Sequence, residues 1–505
     1  MRSIHAVLAL AMCLVAMTGC SSAMLLSDSE KSSPSTVDHH GWLGTETIRT
    51  RFGDFDFKGG YPTPQSAEAL LDQLKFNRAV EVYLTQLPAV SIIESRRGFA
   101  NFGAKTSNQV IIFEQLLDAQ TLLLTANTET VYGVGCLNLK TDGPTVIEAP
   151  PKMLGIAMDM RQRYLVDIGM AGPDKGEGGR YLFLPPEYSG DVPTGYFVVK
   201  SPTYTVQYGV RGFLKDGKTD EAVGLMKQIK IYSLAKKDNP PKMEFLNGSG
   251  KEVDTIHSDN FSFYEQLAQL VNEEPADLFT PLERFYMQAI GIEHGKLFKP
   301  DEKTKNLLSD AARYGAATAR ANSFASDDRG TYYYDDKQWQ YVGDVPYTWM
   351  ANGILQVDRR AYAYYMAVGS SPAMMAKNVG VGSYYLWTYK DAKGQFLQGE
   401  NTYKLHIPTN VPAGLFWSVV VYDALSRSEL RNGEPFPSLS TYTDPKKNAE
   451  GSVDVFFGPS VPVGHEKNWV KTVPGHGFFP MIRFYSPKKE LFDKTWKLPD
   501  MEEVK

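Results

Sequence analysis

Residues 402–407 read Thr402-Tyr403-Lys404-Leu405-His406-Ile407 and alternate strictly. Successive side chains of a strand point to opposite faces, so Tyr403, Leu405 and Ile407 share one face and Lys404 and His406 the other. A strand of this kind has one side in a core and the other in water, as in an antiparallel sheet covered on one face. Downstream, residues 415–422, 452–457 and 478–485 are further short apolar runs. A C-terminal β-sandwich over residues 376–505, jelly-roll-like in type, is predicted.

The same reading applies upstream. Val110-Ile111-Ile112-Phe113, Thr121-Leu122-Leu123-Leu124, Val131-Tyr132-Gly133-Val134 and Tyr196-Phe197-Val198-Val199 are separated by Gly, Pro, Asn and Asp. Repeated short strands with turn signals predict an N-terminal β-sandwich over 65–215. Residues 67–87 carry helical spacing before it, and the segment 216–375 is predicted to be helical. There residues 220–235 repeat their apolar positions at three and four, and Ser262-Phe263-Tyr264-Glu265 has the form of a capping box. Thr280-Pro281-Leu282-Glu283 has that form too, with proline at the first helical position. Gly291 is the expected stop for that helix, and another is expected over 303–323. The expected class is mainly β, two sandwiches around a helical middle.

The chain has 505 residues, more than one hydrophobic core usually supports. Its 43% hydrophobic and 12% aromatic fractions suffice for packed cores, so a globular protein is expected. Met1 and Arg2 precede a short apolar run and then Thr18-Gly19-Cys20. A basic start, an apolar stretch too short for a bilayer and small residues before a cut describe a signal peptide over 1–19. Thr18-Gly19-Cys20 resembles a lipobox, which implies lipidation of Cys20 and a membrane partner reached through the anchor; ordinary cleavage is the alternative. Ser21, where an inner-membrane lipoprotein usually has aspartate, favours the outer membrane. Residues 20–64 are polar and turn-rich and are expected to form a flexible tether. With Cys13 in the leader and Cys20 lipidated, Cys136 is the remaining thiol, so no intramolecular disulfide is expected. The net charge of −5 shows no basic excess, which argues against nucleic acid as a partner.

Several segments resemble a known pair of bacterial families, domains of unknown function 1254 and 1214. The first resemblance rests on Thr125-Ala126-Asn127-Thr128-Glu129-Thr130-Val131-Tyr132, Val146-Ile147-Glu148-Ala149-Pro150, Arg163-Tyr164-Leu165-Val166-Asp167, the segment Gly172 to Leu182, and Gly195-Tyr196-Phe197-Val198-Val199. The second rests on Tyr384-Tyr385-Leu386-Trp387-Thr388-Tyr389-Lys390-Asp391, Phe416-Trp417-Ser418-Val419-Val420-Val421-Tyr422-Asp423, Asn448 to Asp454, Asn468-Trp469 and Arg483-Phe484-Tyr485. Glu129 departs from the aspartate more usual there. The resemblance implies an immunoglobulin-like sandwich, a helical insert and a jelly-roll-like sandwich. It implies no activity, and a fold alone does not supply one.

No Gly-x-Ser-x-Gly, no Gly-x-x-x-x-Gly-Lys-Ser/Thr and no His-Glu-x-x-His occurs. Ser233-Leu234-Ala235-Lys236 matches Ser-x-x-Lys without its companion motifs. No cofactor and no metal site are expected. The glycine-rich loop 172–179, with Asp174 and Lys175, reads either as a ligand-approaching backbone or as a plain turn. Asn127, Glu129 and Tyr132, with Asp159, Arg161 and Arg163, form a polar pocket if their strands pair, or else a buried network that stabilises the sheet. Trp387, Trp417 and Trp469, with Asn468 and Arg483, suit a sugar-stacking surface, although core packing is the usual role of such rings. His406, His465 and His476 are the acid/base candidates. Asp159, His476 and Glu129 are thus the candidate catalytic groups. Three functions follow as expectations: binding of a small polar molecule or glycan in a cleft between sandwiches, hydrolysis or elimination on such a substrate by carboxylate and histidine, or a structural role in the envelope.

Overall fold

The computed structural model describes residues 45–504. The expectations for the leader, for Cys20 and for the tether before Thr45 lie outside the described residues. Two compact units divide between Leu71 and Asp72. In the first, strands Thr45–Thr50, Gly53–Lys58 and Tyr61–Pro62 form an antiparallel meander. The segment read as tether is therefore ordered from Thr45 onward. Thr47 and Asp56 stand opposite each other, and the Thr47 hydroxyl donates to the Asp56 carboxylate at 2.6 Å, a cross-strand bond that the polar composition concealed.

Helix and strand are nearly equal among the described residues, 28% and 29%, so the expected mainly β class gives way to mixed α/β with several sheets. A six-stranded sheet runs in the order Glu244–Asn247, Gln109–Ile112, Thr130–Asn138, Thr205–Phe213, Met153–Asp159, Tyr164–Gly169. A four-stranded sheet runs Phe197–Lys200, Gly179–Leu184, Thr145–Ala149, Lys230–Ser233. Alternation decides their relation. In Thr205–Phe213 the residues Val206, Tyr208 and Val210 share one core with Ile147, Tyr181, Phe183 and Ile231 of the four-stranded sheet. Gln207, Gly209 and Arg211 therefore face the other way.

The C-terminal sheets repeat this logic. One runs Ser383–Trp387, Phe478–Tyr485, Trp417–Asp423, Ser438–Ser440, and the other runs Trp469–Lys471, Val453–Gly458, Thr402–Ile407, Glu502–Val504. Leu386, Val419, Val421, Ile482 and Phe484 pack in one core with Tyr403, Leu405, Ile407, Val455 and Phe457. The opposite face of the first sheet carries Tyr385, Trp387, Met481 and Arg483.

Several helical expectations change at their ends. The helix read over 67–87 runs Pro64–Phe102. In residues 220–235 the α-helix ends at Met226, because Lys230–Ser233 joins a sheet edge where Ile231 and Tyr232 pair with Ile147 and Val146, and a 3-10 turn follows from Leu234. Residues 121–124 form no strand beyond a single bridge at Leu122. The capping box at Thr280 is formed. The one at Ser262 is not, because Asn260 accepts the Ser262 amide instead, at 2.9 Å. Helix Glu302–Phe324 starts from Asp301, whose side chain accepts the Thr304 amide. Gly291, at φ 91, follows the end of its helix as expected. No described helix is long and apolar enough to cross a membrane.

Candidate functional site

The free face of the six-stranded sheet and the free face of the sheet holding Ser383–Trp387 enclose a cavity of about 180 Å³. Helix Val357–Met366 and the segment 367–375 contribute further walls. Its floor follows from register. Arg211 pairs with Tyr132 on one side and Leu154 on the other, while Gly209 lies between Val134 and Ile156. Glycine inside a strand often marks a place where another group approaches the backbone closely. A Cβ built at Gly209 would meet nothing nearer than Val134 Cγ1 at 3.9 Å, so the space above it belongs to the cavity. The walls are mostly apolar, with Met158, Met366, Met375 and Met481 supplying deformable surface.

One corner is different. Tyr385 and Arg483 are directly cross-strand in the roof, and the Arg483 guanidinium lies 5.7 Å from the Tyr385 ring and 5.5 Å from that of Tyr422. Arg483 Nη2 donates to the carbonyls of Thr125, at 2.5 Å, and Ala126, at 3.1 Å, while its Nη1 has no hydrogen-bond partner. From the floor, Arg211 stacks on the Tyr132 ring at 5.1 Å and faces the Tyr385 hydroxyl. Ser383 Oγ and Tyr385 Oη are 2.5 Å apart. Burial alone would raise the Tyr385 phenol, but Arg211, the Ser383 hydroxyl and Arg483 together hold it below the usual tyrosine range.

The two guanidiniums have no carboxylate ion-pair partner among the described residues. Glu429, buried and with both carboxyl oxygens unpartnered, is pushed far up by burial and by Glu129, which favours its neutral form. Burial also raises Glu129, whose Oε1 accepts the Thr128 hydroxyl at 2.5 Å. Asn127 is fully buried and clamps this corner from behind. Its amide donates to the hydroxyls of Tyr132 at 2.9 Å and Tyr485 at 2.8 Å, and its carbonyl accepts the Glu129 amide and the Thr130 hydroxyl, both at 3.0 Å.

Of the residues expected from sequence, the structure brings Asn127, Glu129, Tyr132, Trp387 and Arg483 to or behind this cavity. Asp159 lies elsewhere: its Oδ1 accepts the amides of Arg161 and Arg163 and its Oδ2 takes the Arg163 Nε at 2.5 Å, which closes a tight loop. That loop presents Gln162, whose Oε1 accepts the Gly369 amide of the cavity wall at 2.6 Å. Arg161 is committed to Glu283 and to the Leu278 carbonyl. In the loop 172–179, Lys175, Gly176 and Gly178 take the positive φ of a turn, while Asp174 is buried rather than solvated. Ser233 donates to the Asp142 carbonyl. His406 pairs with Asp454 at 2.7 Å and His476 with Asp423 at 2.8 Å, both outside the cavity. His465 lies against the Phe456 ring. Asn468 ties the backbone of Lys446 and Asp454, and the Trp417 side chain packs at the edge of the C-terminal core. Trp469 lines a separate open groove that also reaches Glu129.

Residues 107–233 match the family described as protein of unknown function DUF1254, and residues 382–489 match protein of unknown function DUF1214. The chain carries the DUF1254 and DUF1214 regions in that order. The DUF1254 region supplies Tyr132, Gly209 and Arg211, and the DUF1214 region supplies Ser383, Tyr385 and Arg483, so the cavity lies where the two face each other. The VPA0106 protein of Vibrio parahaemolyticus, a solved structure, aligns with a TM-score of 0.52 at 18% identity, over 85% of this chain and 100% of that one, and shares its fold. An uncharacterised protein of Burkholderia cenocepacia aligns with a TM-score of 0.38 at 14% identity, over 87% and 97% of the two chains. No curated protein matches.

Proposed function

We propose that the protein binds a small amphipathic anion, with its apolar body in the cavity and its charged head between Arg211 and Arg483. The observation that carries this reading is the pair of guanidiniums without a carboxylate partner at one end of an apolar cavity. Buried charges are normally paired, and arginine is the residue best suited to hold a carboxylate or a similar oxyanion. The apolar walls favour an amphipathic ligand over a fully hydroxylated glycan. We read the two sheet pairs that build the site as β-sandwiches, immunoglobulin-like and then jelly-roll-like; the support is that each pair shares one core.

The test is calorimetric titration with octanoate. Wild-type protein binds it, and Gly209→Leu, whose Cβ meets nothing nearer than 3.9 Å and whose longer side chain occupies the floor, lowers affinity at least tenfold while melting at nearly the wild-type temperature. Binding unchanged in Gly209→Leu places the anion elsewhere and ends this reading.

Tyr385 makes the affinity depend on pH. Ionised, it supplies the anion that the guanidiniums lack; neutral, it donates a hydrogen bond to a ligand carboxylate. Because its free-state value is lowered, octanoate affinity is full below that value and falls as pH rises through it. Octanoate added on the alkaline side drives a proton onto Tyr385, and near-ultraviolet tyrosinate absorbance falls. Tyr385→Phe abolishes both effects, and a flat alkaline limb in wild-type protein would contradict the coupling.

A second reading, acid–base catalysis, is favoured by the 2.5 Å contact between Ser383 and Tyr385. Turnover of an ester of the same acid, lost in Ser383→Ala while octanoate still binds, would support it over binding alone.

A further inference from the structure

We propose that the ligand is a hydroxylated carboxylic acid, whose hydroxyl, at the end away from the anionic head, is received by Asp167 and Ser371. This rests on the anion-binding reading above and adds a second point of recognition to it.

The placement comes from register. Asp167 pairs with Ile156, and Ile156 with Gly209, so Asp167 lies on the cavity face that carries Gly209 and Arg211. From Arg211 it is two strands across and two residues along, about 12 Å between α-carbons at ordinary strand spacing and rise. Both Asp167 and Ser371 line the cavity, and they are 3% and 1% exposed. The basic and acidic ends are therefore separate, joined by the apolar strip over Gly209.

The chemistry at Asp167 calls for a donor. The groups facing it are the Tyr164 hydroxyl from its own strand and the Ser371 hydroxyl from the opposite wall, and no charged side chain among the described residues pairs with it. A carboxylate offers about four acceptor positions, more than two hydroxyls fill. An acceptor left short of donors among apolar walls is costly. Burial pushes Asp167 up to about 6, so the fold does not firmly hold a full negative charge there. A neutral hydroxyl suits such a group, whereas a second carboxylate on the ligand would be repelled once Asp167 ionises.

The experiment compares octanoate, 8-hydroxyoctanoate and suberate on the full chain by titration calorimetry at pH 8 and pH 5. At pH 8, with Asp167 ionised, the hydroxy acid binds about tenfold tighter than octanoate and suberate binds weakest. At pH 5, with Asp167 mostly protonated, the preference for the hydroxy acid shrinks. Asp167→Ala removes the preference at pH 8 and keeps octanoate affinity within about threefold; Ser371→Ala halves it or better if Asp167→Ala does not fold. Equal binding of octanoate and 8-hydroxyoctanoate to wild-type protein at both pH values overturns this inference and leaves the anion reading intact. Binding of none of the three overturns both.

Discussion

Arg211→Met is expected to weaken octanoate binding by about 2–4 kcal/mol, roughly 30- to 1,000-fold, and to raise the melting temperature of the empty protein. The two effects have opposite signs for one physical reason. Arg211 is partly buried on the cavity floor with the Tyr132 ring and the Tyr385 hydroxyl as partners and no carboxylate, so an anion supplies the counter-charge that its site lacks. Methionine keeps the volume and drops the charge. The unliganded fold then gains stability, while the ligand head loses one of its two cationic contacts. A guanidinium that served only to hold the sheets together would behave differently: its loss would lower the melting temperature, and octanoate affinity would stay near wild type. Calorimetric titration together with thermal denaturation of the same sample separates the two cases.

Which parts of this site could be read from the chain follows from the periodicities involved. Alternation in Thr402–Ile407 placed Tyr403, Leu405 and Ile407 in a core, and they are there. The same alternation in Thr205–Phe213 puts Gln207, Gly209 and Arg211 together, and an arginine on one face of an apolar strand was the available signal for the cavity. Gly209 and Gly212 weaken that signal, because glycine is depleted in strands and common in turns. Asn127, Tyr132 and Arg483 were legible as polar residues set among strands, but their convergence depends on which sheet faces packed together, and strand pattern does not encode that. Tyr385 was quoted only as part of a motif, since a tyrosine in a strand is usually core, and its lowered phenol comes from Arg211, 174 residues earlier in the chain. Asp159 and His476 show the converse. Their residue types suit catalysis, yet Asp159 spends its oxygens on its own loop, and the half-exposed His476 ring pairs with Asp423 outside the cavity. The excess of helix over expectation has a similar cause: Pro64–Phe102 has buried residues on several faces, so its periodicity fades after Leu87, where neighbours cover it all round.

Asn127→Ala is expected to be the most destabilising single change near the site, at about 3–4 kcal/mol. Asn127 makes four hydrogen bonds, two donated and two accepted, and it has no exposed surface. Each bond is worth about 1 kcal/mol net, but truncation also strands the Glu129 amide and the Thr130 hydroxyl in a place that water reaches poorly, and orphaned buried groups cost more than the bond itself. Two of the four partners are the hydroxyls of Tyr132 and Tyr485, one from each of the two facing sheets, so the loss falls on the contact between the DUF1254 and DUF1214 regions rather than inside either one. The expected signature is a lower urea midpoint together with a drop in octanoate affinity, because Tyr132 supports Arg211 from below. His406→Ala provides the contrast. Its pairing with Asp454 is also a short side-chain contact, at 2.7 Å, but the histidine side chain is 39% exposed on the outer face, where solvent screens such pairs. That change is expected to shift stability by no more than about 0.5 kcal/mol and to leave binding untouched. An Asn127→Ala protein as stable as His406→Ala would mean that the clamp behind the cavity does not hold the two sheets in register.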